Sequence, residues 1–362
     1  MIDVRPVLIM AGGTGGHVFP ALAVADELRA RGIPVVWLGT KAGIESRLVP
    51  QAGYPIEWMS ITGLRGKNTL TLLLAPLRIT MACWQALAVL QRRKPCAVLG
   101  MGGFASGPGG LMAWLTRKPL LVHEQNAVAG LTNKILARFA DVVLQAFPGV
   151  FKIAQTTGNP VRQAICDIEE PVSRFASRDT TQKNLRLLVI GGSLGAVKLN
   201  QIIPQALAEI NEEERPQVIH QTGVKNIESA KKSYGDAAVE AKVEAFIDDM
   251  PAVYAWADLV ICRAGAMTVF ELAAAGVASV LVPYPHAVDD HQTQNALYLE
   301  QHGAAIIKQQ DELSADWLAE TIKNFSSDRK QLLNMAIAAR KLAIPGSAKT
   351  IADACQHAGG IV

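Results

Sequence analysis

Short apolar runs alternate with longer amphipathic segments along the chain. The first half contains "PVLIM", "PVVWLG", "CAVLGMG", "PLLVHE" and "DVVLQA", and the second half contains "PQVIHQTG", "KVEAFID", "ADLVICRAG" and "ASVLVPYP". Runs that are apolar at nearly every position predict strands buried on both faces, as in parallel sheets covered by helices. The segments Ala21–Arg31 and Asn133–Phe139 are two of the predicted helices. The alternation therefore predicts an α/β protein.

The design of an apolar strand that runs into glycines occurs twice. "VLIMAGGTGGH" starts at Val7, and "LRLLVIGGSLGA" starts at Leu185 after a polar stretch. A chain of 362 residues is long enough for two cores. We therefore predict two doubly wound, Rossmann-like domains joined near "TGNPVRQAI", with a substrate cleft where the carboxyl ends of their strands face each other.

Composition excludes several classes of protein. Hydrophobic residues make up 50% of the chain, which argues against a disordered or fibrous protein. The formal net charge of +3 is too small, and the aromatic residues too few, to indicate nucleic-acid binding. Five cysteines without a C-x-x-C pair predict reduced thiols and no zinc site. No signal peptide and no uncharged run of about 18 residues is recognisable.

The longest apolar segment runs from Asn68 to Lys94 and is interrupted by Pro76 and Arg78. The pattern alone favours a pair of well-buried helices. The alternative is an interfacial patch in which apolar residues, among them Trp84, are rimmed by lysines and arginines.

The glycine-rich stretches indicate a phosphate ligand. "GGTGGH" lacks the lysine of a Walker loop. Val18 stands where the dinucleotide fingerprint has its last glycine, and no acidic residue follows the second strand, which disfavours a nicotinamide cofactor. A single stretch of this kind is compatible with a tight turn. Three of them ("AGGTGGH", "GMGGFASGPGG" and "GGSLGA") favour backbone N–H groups that approach an anion closely.

"CRAGAMTVFELAAAG" predicts a strand, a turn at Gly265 and a helix that ends before Gly276. The N–H groups of Ala266–Thr268 would point at an anion, and Glu271 in the first turn could accept hydrogen bonds from two ribose hydroxyls. Thr268 and Glu271 also have the spacing of a capping box, in which Glu271 only satisfies a backbone N–H. The residues alone leave both interpretations open.

Two further stretches place neutral polar groups near strand ends. "PYPHAVDDHQTQNA" contains His291, Gln292 and Asn295, which suit a sugar but are equally compatible with a solvated helix start. "HEQN", from His123 to Asn126, follows another apolar strand. No D-x-D occurs in the chain, so no bound metal or other cofactor is expected, and helix N-termini would stabilise a departing diphosphate instead.

Seven stretches closely resemble the bacterial peptidoglycan glycosyltransferases of the MurG family, in the same order along nearly the whole chain: "GGTGGH", "GMGGFASGPGG", "HEQNAVAGLTNK", "GNPVR", "GGSLGA", "FIDDM" and "CRAGAMTVFELAAAG". The resemblance implies the two-domain GT-B fold. It implies an acceptor- and membrane-binding domain at residues 1–162, a domain for the donor UDP-N-acetylglucosamine (UDP-GlcNAc) at 163–340, and a C-terminal helix at 341–362 that crosses back to the first domain.

The resemblance also implies roles for individual residues. Thr14, Gly15 and Gly16 line the cleft, Asn126 faces the sugar, Arg162 and Ser193 approach the nucleotide and its phosphates, Ile247 contacts the uracil, and Gln292 hydrogen-bonds the sugar hydroxyls. Ala266, Met267, Thr268, Val269, Phe270 and Glu271 form the diphosphate and ribose loop, with Glu271 on the ribose. Some members of the family have Gln where this chain has His291.

The implied reaction transfers N-acetylglucosamine to the 4-hydroxyl of N-acetylmuramic acid in undecaprenyl-pyrophosphoryl-N-acetylmuramyl-pentapeptide (lipid I), giving lipid II with inversion. It needs a base for the incoming hydroxyl. His17 is the first candidate, because the positive end of a helix favours the neutral imidazole, and Glu124 is the alternative. His17 could instead only cap the glycine loop or orient the acceptor. In this interpretation Gly12–Gly16 leave room for the acceptor's phosphates.

The resemblance further implies a peripheral protein at the cytoplasmic face of the inner membrane that acts in cell-wall synthesis, cell shape and cell division. Its partners would be anionic lipid at the Asn68–Lys94 segment, with Trp114, Arg117 and Lys118 on the same surface, and proteins of division and wall synthesis. No nucleic acid is expected. The alternatives are another acceptor on the same scaffold (a diacylglycerol glycosyltransferase), a UDP-N-acetylglucosamine 2-epimerase, or a non-catalytic subunit that binds a UDP-sugar.

Overall fold

The computed structural model describes residues 5–61, 74–178, 184–192 and 195–361. The chain divides into two compact units. Unit 1 contains the described residues up to Val161 and from Gly346 onward, and unit 2 runs from Arg162 to Pro345. Within the described ranges, no helix is long and apolar enough to cross a membrane.

Each unit is built on one parallel sheet. The strands described in unit 1 are β1 (Val7–Met10), β2 (Val35–Gly39), β3 (Ile56–Trp58), β4 (Ala97–Gly100), β5 (Leu120–Glu124), β6 (Val142–Gln145) and β7 (Gln155–Thr156). Those of unit 2 are β8 (Arg186–Ile190), β9 (Gln217–Gln221), β10 (Lys242–Glu244), β11 (Leu259–Cys262), β12 (Ala278–Leu281) and β13 (Ala305–Ile307). They pair in the orders β3-β2-β1-β4-β5-β6-β7 and β10-β9-β8-β11-β12-β13. The predicted pair of parallel sheets is confirmed.

The helices that the structure describes connect these strands. They are α1 (Gly15–Ala30), α2 (Glu45–Gln51), α3 (Ala75–Arg93), α4 (Ser106–Leu115), α5 (Leu131–Leu136), α6 (Gln163–Cys166), α7 (Pro171–Ala176), α8 (Val197–Ala208), α9 (Ile227–Asp236), α10 (Met250–Trp256), α11 (Ala266–Ala275), α12 (His291–Glu300), α13 (Ala315–Ser327), α14 (Arg329–Lys341) and α15 (Ser347–Ala358). The helix predicted from Ala21 begins at Gly15, so His17 lies in its first turn.

The core of unit 1 lies against β1. All four residues of this strand are fully buried, and Val7 is in register with Val35 on one side and Ala97 on the other. The last helix, α15, contributes Ile351 and Cys355 to the same core. Unit 1 is therefore completed by the C-terminal end of the chain.

The buried carboxylate of Asp258 forms hydrogen bonds and ion pairs with several elements of unit 2. Its carboxylate accepts a hydrogen bond from the backbone N–H of Arg186 at 2.9 Å and pairs with Nη1 of Arg329 at 2.7 Å. Arg178 contacts the same carboxylate. A single buried acid thus connects the start of β8, the start of β11, α14 and the segment after α7.

We expect Asp258→Ala to lower the free energy of unfolding by about 3 kcal/mol, because removal of the buried acid leaves two partly buried arginines without their counter-charge. Urea unfolding of the purified variant measures this. Asp236→Ala, at an exposed position on α9, is the control and should change stability by less than about 0.5 kcal/mol. Equal stabilities of the two variants would contradict the role assigned to Asp258.

Candidate functional site

In unit 1, the loop between β1 and α1 positions His17. Thr14 has an extended backbone (φ −125°, ψ 162°) and begins the helix, so the imidazole of the third helical residue turns back over the loop. Nδ1 of His17 lies 3.3 Å from the carbonyl oxygen of Gly12 and 3.4 Å from Oγ1 of Thr14. The predicted cluster of Thr14, Gly15, Gly16 and His17 is therefore one continuous surface at the start of α1.

The imidazole packs directly on the backbone that follows β4. A Cβ atom on Gly102 would lie 2.7 Å from Cδ2 of His17, closer than real atoms approach. Gly102 also has φ +92°, a region that side chains disfavour. The second glycine-rich stretch thus packs directly against His17, and its contact with a phosphate stays a prediction.

A carboxylate lies beneath the first glycine-rich loop, at Glu45 in the first turn of α2. The side chain is fully buried. Oε2 accepts a hydrogen bond from the N–H of Gly13 at 2.9 Å, and Oε1 accepts from the N–H and Oγ1 of Thr40 at 3.0 and 2.7 Å. The Gly13 N–H is therefore used inside the protein. Any anion at this loop would meet the amides at the start of α1 instead.

Glu124, the alternative base, ends β5 and is only 2% exposed. Its Oε1 accepts hydrogen bonds from the N–H and Nδ2 of Asn126 at 3.0 and 3.2 Å. Its Oε2 accepts from the N–H of Gly130 and Nδ2 of Asn133 at 3.1 and 2.9 Å. These four bonds fix the loop that carries Asn126, which favours a structural role for Glu124.

In unit 2, the start of α11 differs from the predicted capping box. Gly265 occupies the N-cap position with an extended backbone, so Thr268 lies inside the helix and cannot be the capping residue. Glu271 is in the second turn, not the first. The capping-box interpretation is therefore wrong, because the N-cap at Gly265 starts the helix at Ala266, two residues before Thr268. The predicted helix end is confirmed, with Gly276 in the left-handed conformation.

Glu271 is instead held by side chains from two other elements. Oη of Tyr254 on α10, which is fully buried, donates to Oε2 of Glu271 at 3.1 Å. Nη2 of Arg162, at the start of α6, lies 3.8 Å from Oε1. The Glu271 side chain keeps 17% of its surface exposed. Burial raises the pKa of this carboxyl, while Arg162 and the Tyr254 hydroxyl act against the rise.

The far end of α11 is also fixed by charge. Nη1 of Arg174, from α7, donates to the carbonyl of Ala275 at 2.8 Å, and Arg340, from α14, donates to the carbonyl of Ala274. Cations at a helix C-terminus complement its dipole. The helix whose start carries the candidate anion site is thus anchored at its C-terminal end.

The remaining predicted residues of unit 2 fall into three groups. Val269 and Phe270 are buried in the core, so only their backbone is available to a ligand. Ile247 is 4% exposed, and Oε1 of Gln292 accepts a hydrogen bond from the N–H of Tyr284 at 2.9 Å, which orients its amide. Ser193 lies outside the described residues.

The apolar segment before Lys94 forms one long helix, α3, with an exposed apolar face. Leu77, Met81 and Trp84 follow helical spacing and are 64%, 53% and 69% exposed. The interpretation of this segment as well-buried helices is therefore wrong for α3, while residues 68–73 lie outside the described ranges. Trp114 on α4 is exposed as well. A cluster of large exposed apolar side chains marks an interaction surface.

The sequence interpretation missed two residues that shape the site. Glu45 is 32 positions from the amide it binds, and no local pattern connects the two. Tyr254 is 17 positions from Glu271, and nothing in that spacing relates the two residues. The only sequence signal for Glu45 is the set of glycines at 12, 39 and 43, whose Cβ atoms would collide with it.

Comparisons with known proteins identify the family to which this chain belongs. The N-terminal domain of glycosyltransferase family 28 matches residues 7–145, and the C-terminal domain of the same family matches residues 186–353. The chain therefore belongs to glycosyltransferase family 28. The calicheamicin glycosyltransferase CalG4 has the same fold, at 16% identity over 98% of both chains and a TM-score of 0.70.

Closer relatives narrow the class. Proteins of Marinobacter nauticus and Nitrosococcus oceani are both named UDP-N-acetylglucosamine–N-acetylmuramyl-(pentapeptide) pyrophosphoryl-undecaprenol N-acetylglucosamine transferase. The Marinobacter protein is 53% identical to this chain over 98% of both chains. The Nitrosococcus protein is 54% identical over 96% of this chain and 97% of its own length. The crystal structure of MurG from Acinetobacter baumannii matches with a TM-score of 0.86 and 41% identity, over 98% of this chain and 99% of that chain. Within family 28 the chain belongs to the MurG family, and the predicted resemblance is confirmed.

The raised pKa of Glu271 predicts a pH-dependent stability. A carboxyl with a raised native pKa binds protons better when folded, so the free energy of unfolding falls as pH rises through the interval between the two pKa values. Glu271→Gln removes this fall. Urea unfolding at about pH 4.5 and about pH 8 gives the free energy of unfolding of both proteins. We expect the difference, variant minus unchanged protein, to be more positive at about pH 8 than at about pH 4.5.

The exposed Glu320 on α13 offers the matched control, and Glu320→Gln should give the same stability difference at both pH values. A difference for Glu271→Gln that is independent of pH would show that the carboxyl is not destabilised by its surroundings.

Proposed function

We propose that this protein is an inverting glycosyltransferase that moves N-acetylglucosamine from UDP-GlcNAc to the 4-hydroxyl of N-acetylmuramic acid in lipid I, giving lipid II for peptidoglycan. The observation that carries the proposal is the likeness over nearly the full chain to transferases named for this donor and acceptor. The polar clusters of the two units support it, because each offers the groups that one of these substrates requires.

The donor would bind unit 2 at the start of α11. Amides of Ala266, Met267 and Thr268 at a helix N-terminus suit a diphosphate. Glu271 is partly exposed and ionisable, which suits two ribose hydroxyls, and Arg162 adds positive charge beside it. Ile247 would contact the uracil, and the oriented amide of Gln292 would bind the sugar. Ser193 keeps its proposed role near the phosphates.

The chemical step would use His17 of unit 1 as the base. The 4-hydroxyl of the acceptor loses its proton to the imidazole, and its oxygen bonds to the anomeric carbon as the bond to UDP breaks and UDP leaves with the electron pair. Attack opposite the leaving group inverts the configuration and gives a β-1,4 bond. Amides at the start of α11 would stabilise the charge on the departing diphosphate. Glu124, whose oxygens already accept four hydrogen bonds, is the weaker candidate for the base.

The acceptor is lipid-linked, so the protein would act as a peripheral protein at the cytoplasmic face of the inner membrane, among proteins of wall synthesis and cell division. The apolar face of α3 supports this placement. Arg92 and Arg93 both pair with Glu57, which reduces the positive charge they offer to anionic lipid. Exposed Arg78, Lys94 and Arg117 would supply it instead.

Transfer of labelled N-acetylglucosamine from UDP-GlcNAc to a short-chain lipid I analogue tests the proposal. We expect His17→Ala to lower kcat by about 10²- to 10⁴-fold with unchanged UDP binding. Glu271→Gln should raise the KM for the donor by about tenfold or more, because hydrogen bonds to a charged group are lost. Glu300→Gln, exposed on α12, is the control and should retain activity.

Undiminished kcat in His17→Ala would move the base elsewhere, with Glu124 next. UDP-sugar binding without transfer by the unchanged protein would overturn the acceptor. Transfer to diacylglycerol would then identify another lipid enzyme on this scaffold, and no transfer to either would identify a non-catalytic subunit.

The exposed face of α3 predicts lipid binding. Trp84→Gln combined with Leu77→Gln should weaken binding to vesicles containing phosphatidylglycerol by about tenfold or more, since burial of each apolar side chain is worth about 1.5–3 kcal/mol. Co-sedimentation measures the bound fraction. Ile153, 89% exposed elsewhere in unit 1, provides the control Ile153→Gln. Equal loss in both variants would contradict a specific lipid-facing role for α3.

A further inference from the structure

One peptide group connects a buried carboxylate to the imidazole of His17. The N–H of Gly13 donates to Oε2 of Glu45 at 2.9 Å, and Nδ1 of His17 lies 3.3 Å from the carbonyl oxygen of Gly12. This N–H and this carbonyl belong to the same peptide bond. Glu45, the Gly12–Gly13 peptide and His17 therefore form a continuous hydrogen-bonded chain.

We propose that Glu45 is a positioning residue: through the Gly12–Gly13 peptide it fixes His17 in the tautomer that carries its proton on Nδ1, so that Nε2 is the proton-accepting nitrogen. A carbonyl oxygen can only accept, so the Gly12 contact is a hydrogen bond only when the proton is on Nδ1, and the Thr14 hydroxyl at 3.4 Å from the same nitrogen can accept from it as well. The catalytic importance of this assignment rests on the proposed function, whereas the tautomer itself does not.

The buried carboxylate strengthens this link through the peptide. An acceptor charge at the N–H end polarises the peptide and makes its carbonyl a better acceptor, and bonds in a low-dielectric interior reinforce one another. The arrangement is chemically similar to a carboxylate that orients a histidine directly, with one peptide group inserted between the two side chains.

Glycines leave the space that the Glu45 carboxylate occupies. A Cβ on Gly12 would lie 2.5 Å from its Oε1, a Cβ on Gly39 2.9 Å from its Cγ, and a Cβ on Gly43 1.9 Å from its Oε2. Three glycines from two segments of the chain, the loop before α1 and the stretch from the end of β2 to α2, therefore lack side chains where the carboxylate lies. Burying an acid is costly unless hydrogen bonds compensate, and here Thr40 and Gly13 supply them.

The same contact decides what the loop can bind. Since the Gly13 N–H faces Glu45, this amide stabilises a negative charge inside the protein and not on a ligand. The peptide between Gly12 and Gly13 thus contacts His17 and Glu45, whereas Gly15 and Gly16 begin α1.

The proposal is tested by long-range ¹H–¹⁵N correlation on the full chain labelled at histidine nitrogens, with the His17 signals assigned by their loss in His17→Ala. We expect the Nδ1–H tautomer in the unchanged protein. In Glu45→Gln the charge is lost and one amide oxygen must replace two carboxylate oxygens, so the Nε2–H tautomer should become measurable. Asp26→Asn removes a charge from the exposed face of the same helix as His17 and should leave the tautomer unchanged.

Kinetics add a second readout. Glu45→Gln should lower kcat by about tenfold, less than loss of the base itself, with UDP binding unchanged. In the His17→Ala background the same change should cost less than about twofold, because residues that act through one another are not additive.

The outcomes are distinct. An Nε2–H tautomer in the unchanged protein overturns the proposal even where Glu45→Gln does not fold, and so does an unaltered tautomer in a folded Glu45→Gln. Full additivity with His17→Ala assigns Glu45 a merely structural role. A correct tautomer and shift in a protein without transfer activity leave the positioning of His17 established while the proposed function fails.

Discussion

Buried carboxylates that accept hydrogen bonds from backbone N–H groups fix the loops of the candidate site in unit 1 and the beginning of the sheet in unit 2. Glu45 fixes the loop before α1, Glu124 the loop after β5, and Asp258 the junction between β8 and β11. The constraint behind this pattern is that a parallel sheet ends in loops whose N–H groups lack strand partners. A buried acid is stable there only because those N–H groups supply its hydrogen bonds, so the acid and the loop stabilise each other.

The number of hydrogen bonds that each acid already accepts within the protein distinguishes Glu124 from Glu271. Each oxygen of Glu124 accepts two hydrogen bonds, from the loop that follows it and from Asn133 on α5, and the side chain has almost no exposed surface. Glu271 has one hydroxyl partner and a distant guanidinium, with part of its surface exposed. Glu271 therefore has lone pairs left to accept further hydrogen bonds, and its pKa is raised by burial. Both properties are common at functional sites.

The sequence predicted the sheets, the strand ends that carry polar groups and the end of α11, because each depends on neighbouring residues. It missed the start of α1, since Gly15 and Gly16 are poor helix formers that tertiary contacts hold in place. The capping box failed because Thr268 and Glu271 have a spacing that two different helix starts allow, and Gly265 decides between them. Glu45 and Tyr254 act on residues far away in the chain, and the exposure of α3 depends on what packs beside it. No local pattern encodes such relations.

The anchoring of α11 by Arg174 and Arg340 has a consequence for how a ligand would be received. A helix held at its last carbonyls, with its start fixed by Gly265, has little backbone freedom left to lose. Binding an anion there orders the ligand and few protein groups, which is the condition of a pre-organised site. The entropic cost of forming the site is then met during folding, and release of a bound anion would require no rearrangement of the helix itself.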